Sequence, residues 1–228
     1  METQDVPTEF LIKLWPWLEA NKNRLIGGGV CIVTVAIIYS FVSWHREQNE
    51  ITAGEEFTQL SFTPGSTVDA SQRADSFAQL ATKYSGTAAG RRAQLQAAAT
   101  LFDSGDYAKA QVQFQKFLDE NSGPLAASAA LGVAASLEAQ GKPDLASTAY
   151  LKVTSSYSGS PAGLQAEFSL GRLAEQQGRL AEAEGYYESA ASVGQAGGTI
   201  SEEAQGKAYE LKVRLATTQK TTTDSLLK

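Results

Sequence analysis

Gly105–Gly123 reads GDYAKAQVQFQKFLDENSG, and Gly141–Gly159 reads GKPDLASTAYLKVTSSYSG. Laid one above the other, the two stretches agree at fixed places. Glycine comes first and alanine follows five residues on (Ala110, Ala146). A large aromatic comes next (Phe114, Tyr150), then an apolar residue three later (Phe117, Val153), and Ser-Gly closes the stretch (Ser122-Gly123, Ser158-Gly159). Upstream the same spacing joins Phe77, Leu80 and Ser85-Gly86, and downstream Gly178 precedes Ala183. The three Ser-Gly pairs stand 37 and then 36 residues apart. A period of this length signals stacked helix pairs, because one pair cannot bury its apolar face alone and needs the next. The expectation is an all-α solenoid that offers a surface to other proteins and carries no catalytic centre.

The repeats extend outward into predicted elements. One helix covers Val68 to Tyr84. Pairs follow at Ala88–Ser104 with Tyr107–Asn121, Leu125–Gln140 with Leu145–Tyr157, and Ala162–Gln177 with Leu180–Ser192. Gly105, Gly141 and Gly178 fall where a helix ends in a left-handed residue. Pro124 and Pro161 sit at helix starts, where a missing N–H costs nothing. Gly194 to Gly198 reads as a break. Ile200 to Ala216, apolar along Ala204, Ala208, Leu211 and Leu215, reads as the capping helix that covers the last open face. The repeat domain is thus assigned to 67–216, and 217–228, rich in Thr and Lys, to a flexible tail. Pro64-Gly65 predicts the turn before the repeats.

Residues 25–44, LIGGGVCIVTVAIIYSFVSW, hold no charge. Twenty helical residues span about 30 Å, the thickness of a bilayer's hydrocarbon core. The three tryptophans flank the run: Trp15 and Trp17 before it, Trp44 at its end. Indole favours the headgroup layer, so the pattern matches an aromatic belt. A cleaved signal peptide would need a small-x-small site, and Ser43-Trp44-His45 supplies none. For a lipid anchor at Cys31, Val30 stands where a small residue is wanted. The expectation is therefore a single uncleaved transmembrane helix at 25–44. Residues 1–24 form a cytoplasmic lead with a short interfacial helix interrupted near Pro16, and 45–66 a membrane-proximal helix and turn. Lys13, Lys22 and Arg24 precede the span, while only Arg46 closely follows it. That imbalance puts the N-terminus in the cytoplasm and the repeats outside.

Composition narrows the function classes. The chain has 228 residues and a formal net charge of −6, which disfavours nucleic acid as a partner. A single cysteine, Cys31, allows no internal disulfide, and a single histidine, His45, has no companions for a zinc site. Gly27-Gly28-Gly29 lies inside the apolar run and lacks the Gly-Lys-Ser/Thr ending of a phosphate loop. Neither a cofactor nor a metal is expected, and no catalytic residue is assigned.

The residues Ala98, Ala110, Phe114 and Phe117, then Ala134, Ala146, Tyr150, Val153 and Pro161, then Leu170-Gly171, Ala183, Tyr187 and Ala190, resemble the tetratricopeptide-repeat signature. Two departures stand out: Gln94, Ala130 and Glu167 replace the usual tryptophan, and the period exceeds the usual 34. The resemblance implies that the first helix of each pair lines a concave groove. It places Leu95, Leu131 and Phe168 at one groove position, with Arg92, Phe102, Glu138, Gln165 and Arg172 around them, a partner-binding groove suited to an extended peptide or helix. Ala99 and Ala135 stand where a charged carboxylate clamp would want polar residues, so no such clamp is expected. The layout of lead, span and degenerate repeats resembles the ancillary-subunit family of the bacterial SecYEG translocon, the YfgM type. That resemblance implies a bacterial inner-membrane protein with a periplasmic repeat domain. Its partners would be translocon subunits, a periplasmic chaperone or exported polypeptides, and it would assist their export or folding. Alternatives are a scaffold for envelope division or outer-membrane assembly and an anchoring subunit of a membrane complex.

Overall fold

A computed structural model of the chain describes residues 8–62, 69–192 and 198–226. It contains α1 (Thr8–Phe62), α2 (Ala70–Lys83), α3 (Ala88–Asp103), α4 (Tyr107–Glu120), α5 (Pro124–Ala139), α6 (Pro143–Ser156), α7 (Pro161–Gln176), α8 (Leu180–Ala191) and α9 (Gly198–Leu226). Among the described residues there is no strand. The turn expected at Pro64-Gly65 and most of the break expected at Gly194–Gly198 lie outside them. The chain divides into two compact units, Met1–Thr52 and Ala53–Lys228.

In the first unit the helix is not interrupted at Pro16, contrary to the expectation. A proline removes one N–H donor and crowds the preceding turn, which weakens a helix locally without having to end it. From Ile26 to Trp44 the large apolar side chains are exposed on every side of the helix, Ile32 at 72% and Tyr39 at 76% among them.

The second unit is a chain of helix hairpins. Its core is a series of small clusters, one per hairpin, and not a single mass. Ala53, Phe77, Leu80, Tyr84, Ala89, Ala93 and Ala97 form the first. The second joins Ala98, Ala110, Phe114, Phe117 and Ala129. Tyr150 and Val153 centre the third, with Ala134, Ala146, Ala166 and Leu170. Tyr187, Ala190, Ala183, Ala204, Ala208 and Leu211 make the last. Residues Ala53–Phe62 of α1 thus serve as the first helix of the first hairpin, Phe57 lying 5.9 Å from Phe77 between ring centroids. Within each later hairpin the helices meet at small residues. Ala98, Ala110, Ala134, Ala146 and Ala183 are all fully buried. A Cβ at Gly171 would come within 2.7 Å of the Tyr187 ring. The absence of larger side chains there lets an aromatic of the second helix reach the backbone of the first.

The turns inside the hairpins share one geometry. Gly105, Gly141 and Gly178 have φ of 86°, 72° and 74°. The following N–H groups, of Asp106, Lys142 and Arg179, reach back to the carbonyls of Leu101, Leu137 and Ala174 at 3.0, 3.1 and 2.9 Å, closing the left-handed helix stop expected from the sequence. At the last helix Ala204, Ala208 and Leu211 face α8, as the amphipathic pattern predicts. The tail expected to be flexible from residue 217 is instead helical to Leu226. Thr217 and Thr218 turn their hydroxyls onto the carbonyls of Val213 and Arg214 at 2.8 and 2.9 Å, which holds β-branched polar residues inside a helix.

Two turns between hairpins repeat a tighter device. The carbonyl of Tyr84 accepts from the Thr87 N–H at 3.1 Å and its hydroxyl at 2.8 Å. The carbonyl of Tyr157 accepts likewise from Ser160, at 3.1 and 2.7 Å. Each hydroxyl oxygen then caps the next helix by accepting from the N–H of Gly90 or Gly163. A Cβ on Gly90 would lie 2.2 Å from the pinned Tyr84 oxygen, and one on Gly163 2.4 Å from that of Tyr157. In the middle repeat Asn121 is extended, the turn to α5 is one residue shorter, and Ala126 stands where those glycines stand. Gly90→Ala and Gly163→Ala should therefore each lower stability by about 1–3 kcal/mol through overpacking. Ala126→Gly should cost only about 1 kcal/mol, through helix propensity. Urea unfolding followed by circular dichroism measures both, and equal losses at all three sites would refute the close-approach reading.

Candidate binding face

Each first helix of a hairpin has three faces. In α3, Ala89, Ala93 and Ala97 pack back onto Phe77, Leu80 and Tyr84. Ala98 packs forward onto Ala110, Phe114 and Phe117. A third stripe remains at Arg92, Leu95, Ala99 and Phe102, spaced along one side of the helix. Its counterparts are Leu131, Ala135 and Glu138 on α5, and Gln165, Phe168, Arg172 and Glu175 on α7. Because α3 adjoins α5, α5 adjoins α7 and α7 adjoins α9, these stripes lie side by side.

Arg92 is exposed on this face, and Leu95, Phe102, Leu131, Glu138, Gln165, Phe168 and Arg172 are half-buried. The apolar members serve the core with one edge and the surface with the other. Leu95 and Phe102 rest on the second cluster, Leu131 on the third and Phe168 on the fourth. The Phe102 ring stands edge-on to Tyr107 at 5.2 Å, and Phe168 lies 5.4 Å from Tyr187.

Two residues expected as separate rim contacts are joined. Arg172 pairs with Glu138 across α7 and α5 at 2.6 Å. The Tyr150 hydroxyl donates to the other carboxylate oxygen of Glu138 at 2.9 Å. One repeat later the Tyr187 hydroxyl donates to Glu175 at 3.0 Å, and Lys207 of α9 approaches the same carboxylate at 3.8 Å. The pattern is a ladder of tyrosine, glutamate and base, with one rung in each of the last two hairpins. In the earlier repeat all three places are apolar: Phe114 for the tyrosine, Phe102 for the glutamate, Ala135 for the arginine. The signal for this ladder was present in the sequence as a joint change from Phe/Phe to Glu/Tyr at matched positions.

Burial, reinforced by the neighbouring carboxylate, pushes both phenols well above the ordinary tyrosine value. Among the described residues no group of three His, Cys, Asp or Glu is arranged to hold a metal. A concavity of about 530 Å³ opens beside the N-terminal ends of α3 and α5, and of the expected groove residues only Arg92 lines it.

Stacked antiparallel hairpins with a continuous face of first helices define a tetratricopeptide-like α-solenoid, a protein-interaction fold. The family model described as the tetratricopeptide repeat-like domain matches residues 16–216, and the chain belongs to that family. Among curated proteins none matches it by sequence. A Podosopora anserina protein of nearly identical TPR-like repeats shares the fold, with a TM-score of 0.50 at 15% identity over 79% of this chain and 90% of that one. PcrH from Pseudomonas aeruginosa gives 0.49 at 18% identity, covering 55% and 94%. The Yersinia enterocolitica type III secretion translocator chaperone SycD gives 0.49 at 21%, covering 60% and 93%.

Removing the phenols tests the ladder. The unfolded chain loses its tyrosine protons near pH 10, before the folded chain does, so stability should fall as pH rises above about 10. The double variant Tyr150→Phe, Tyr187→Phe should lose about 0.5–1.5 kcal/mol per site at neutral pH. It should also show a shallower decline above pH 10 in urea titrations. An unchanged alkaline slope would show that the two hydroxyls are not held as described.

Proposed function

We propose that this protein is a single-pass membrane protein of the bacterial inner membrane whose periplasmic solenoid binds other proteins beside the Sec translocon, in the manner of a YfgM-type ancillary subunit. It would assist the export or folding of secreted polypeptides by binding and not by catalysis. The observation that carries the reading is the all-round exposure of apolar side chains along α1. The apolar window of this helix has a mean hydropathy of 2.3 and none of it is buried. A helix apolar on every side needs an apolar medium. Ten Leu, Ile, Val or Phe residues fall in 25–44. At roughly 0.3–0.6 kcal/mol each they favour insertion by roughly 3–6 kcal/mol, and no charge opposes them. The family match begins at Pro16, so it takes in this helix together with the repeats.

Lys13, Lys22 and Arg24 against Arg46 support a cytoplasmic N-terminus. A tether of this kind keeps the first-helix face near the membrane and raises the effective concentration of whatever emerges there, without adding a contact.

Topology is tested with a membrane-impermeant maleimide. Cys31 should stay unlabelled in membranes until detergent is added. In a Cys31→Ser background, Lys152→Cys should react in cells with a permeabilised outer membrane, and Thr3→Cys only after lysis. The reverse order would overturn the orientation. For the interaction surface, a photo-crosslinker at Ala99, Ala135 or Gln176, the exposed last residue of α7 one turn beyond Arg172, should yield adducts with translocon subunits or exported chains. Exposed positions on the second helices, Val112 and Leu151, should yield none; adducts from these alone would exclude the first-helix face.

A further inference from the structure

The three stripes of the binding face are not chemically alike. On α7 the charged side chains of the stripe are already engaged: Arg172 with Glu138 and Glu175 with the Tyr187 hydroxyl, Lys207 standing close by. On α3 and the first half of α5 the ladder is missing. There Leu95, Ala99, Phe102, Leu131 and Ala135 are half-buried neighbours with no polar group among them. Ala99 and Ala135 lie between larger side chains, so this patch has a trough with Leu and Phe ridges. Leu95 to Phe102 spans seven residues, about 10 Å along the helix, and adjacent helices lie about 8–10 Å apart. A patch of that size matches the apolar stripe of one helix, with anchors at i, i+3, i+4 and i+7.

One end of the patch carries charge. Arg92 begins the stripe and has no ion-pair partner among the described residues. It lines the concavity of about 530 Å³ together with Arg91, Glu120, Ser122 and Leu125. Glu120 lines the same concavity and keeps its charge, but it forms no ion pair with Arg92: its carboxylate accepts from the Gln94 amide at 2.7 Å and lies 3.9 Å from Lys116, so Arg91, Arg92 and Lys116 outnumber it. Arg91 donates to the Gly86 carbonyl at 3.1 Å, which spends one of its donors and leaves its charge in place. Two guanidinium groups at one end of an apolar trough favour an anion there, and Arg presents a fork that fits a carboxylate.

We infer that the patch formed by Leu95, Ala99, Phe102, Leu131 and Ala135 takes an amphipathic helix of a protein partner, oriented by an acidic residue placed against Arg92 and Arg91. This rests on the interaction function proposed above and narrows it to the first two complete hairpins and to one chemistry.

The test uses the full chain in lipid nanodiscs and a fluorescein-labelled amphipathic peptide, leucine at every third or fourth position and a single aspartate at one end. Anisotropy should register binding, and the same peptide with lysine for aspartate should bind at least about tenfold more weakly, the scale of one charge-assisted hydrogen bond. Arg92→Glu, at an exposed position, should invert that preference. Ala99→Gln with Ala135→Gln should fill the trough and weaken both peptides about tenfold or more while the melting curve stays unchanged. If that pair unfolds the chain, Ala99→Ser with Ala135→Ser takes its place with a loss of at least about threefold expected. No binding of the aspartate peptide, equal binding of the two peptides, or indifference to trough filling would overturn the inference. In the photo-crosslinking experiment adducts should come from Ala99 and Ala135 and not from Gln176. Adducts from Gln176 would sink this inference and leave the interaction function standing, whereas silence at all three positions would sink both.

Discussion

Two helices can close until a ring on one touches the backbone of the other only if nothing larger than a methyl group stands between them. That steric allowance, at Ala98 with Ala110, Ala134 with Ala146, and Gly171 with Ala183, is what the rest of the repeat unit depends on. Phe114, Tyr150 and Tyr187 are buried because the allowance exists, and each large aromatic contributes on the order of 1.5–3 kcal/mol by leaving water. The clusters are serial, so each hairpin is stabilised by its neighbours and the last one needs α9 to cover it. The fully buried Ala204 and Leu211 meet that need at the C-terminal end.

Polar groups enter this thin core under strict conditions. Tyr150 is nearly fully buried, and its hydroxyl has Glu138 as partner. Glu138, with only 17% of its side chain exposed, is in turn matched by Arg172. An unpaired carboxylate at such depth would cost several kcal/mol, whereas the net value of the pair over apolar residues of similar size is small. The earlier repeat illustrates the alternative with Phe102, Phe114 and Ala135. The ladder therefore does more to fix how α5, α7 and α9 sit against one another than to raise stability. It also leaves the first-helix face with its charged groups paired in one half and with apolar side chains in the other.

That division separates two chemically distinct halves of the first-helix face. The apolar half belongs to the hairpins nearer the N-terminus. A surface that binds by burying modest apolar area has modest affinity, and the tether proposed above would compensate through effective concentration. Such a face suits transient capture better than permanent assembly.

Much of this was legible in the sequence. The period, the small residues at matched places and the helix-stopping glycines report where helices end and which side of each is buried, and those are properties of spacing and composition. Three things were not legible. Glu138 and Arg172 meet although 34 residues separate them, because contact between neighbouring first helices depends on how the hairpins are rotated relative to one another, which spacing does not encode. The requirement for glycine at Gly90 and Gly163 comes from a carbonyl pinned by a neighbouring hydroxyl. At Asn121 a one-residue difference in period removes that contact. The helical run beyond Ala216 likewise reflects local hydrogen bonding that composition misjudged. Sequence determined the architecture because burial is periodic; tertiary structure decided the chemistry of the first-helix face, because ion pairs and close approaches depend on distances between repeats.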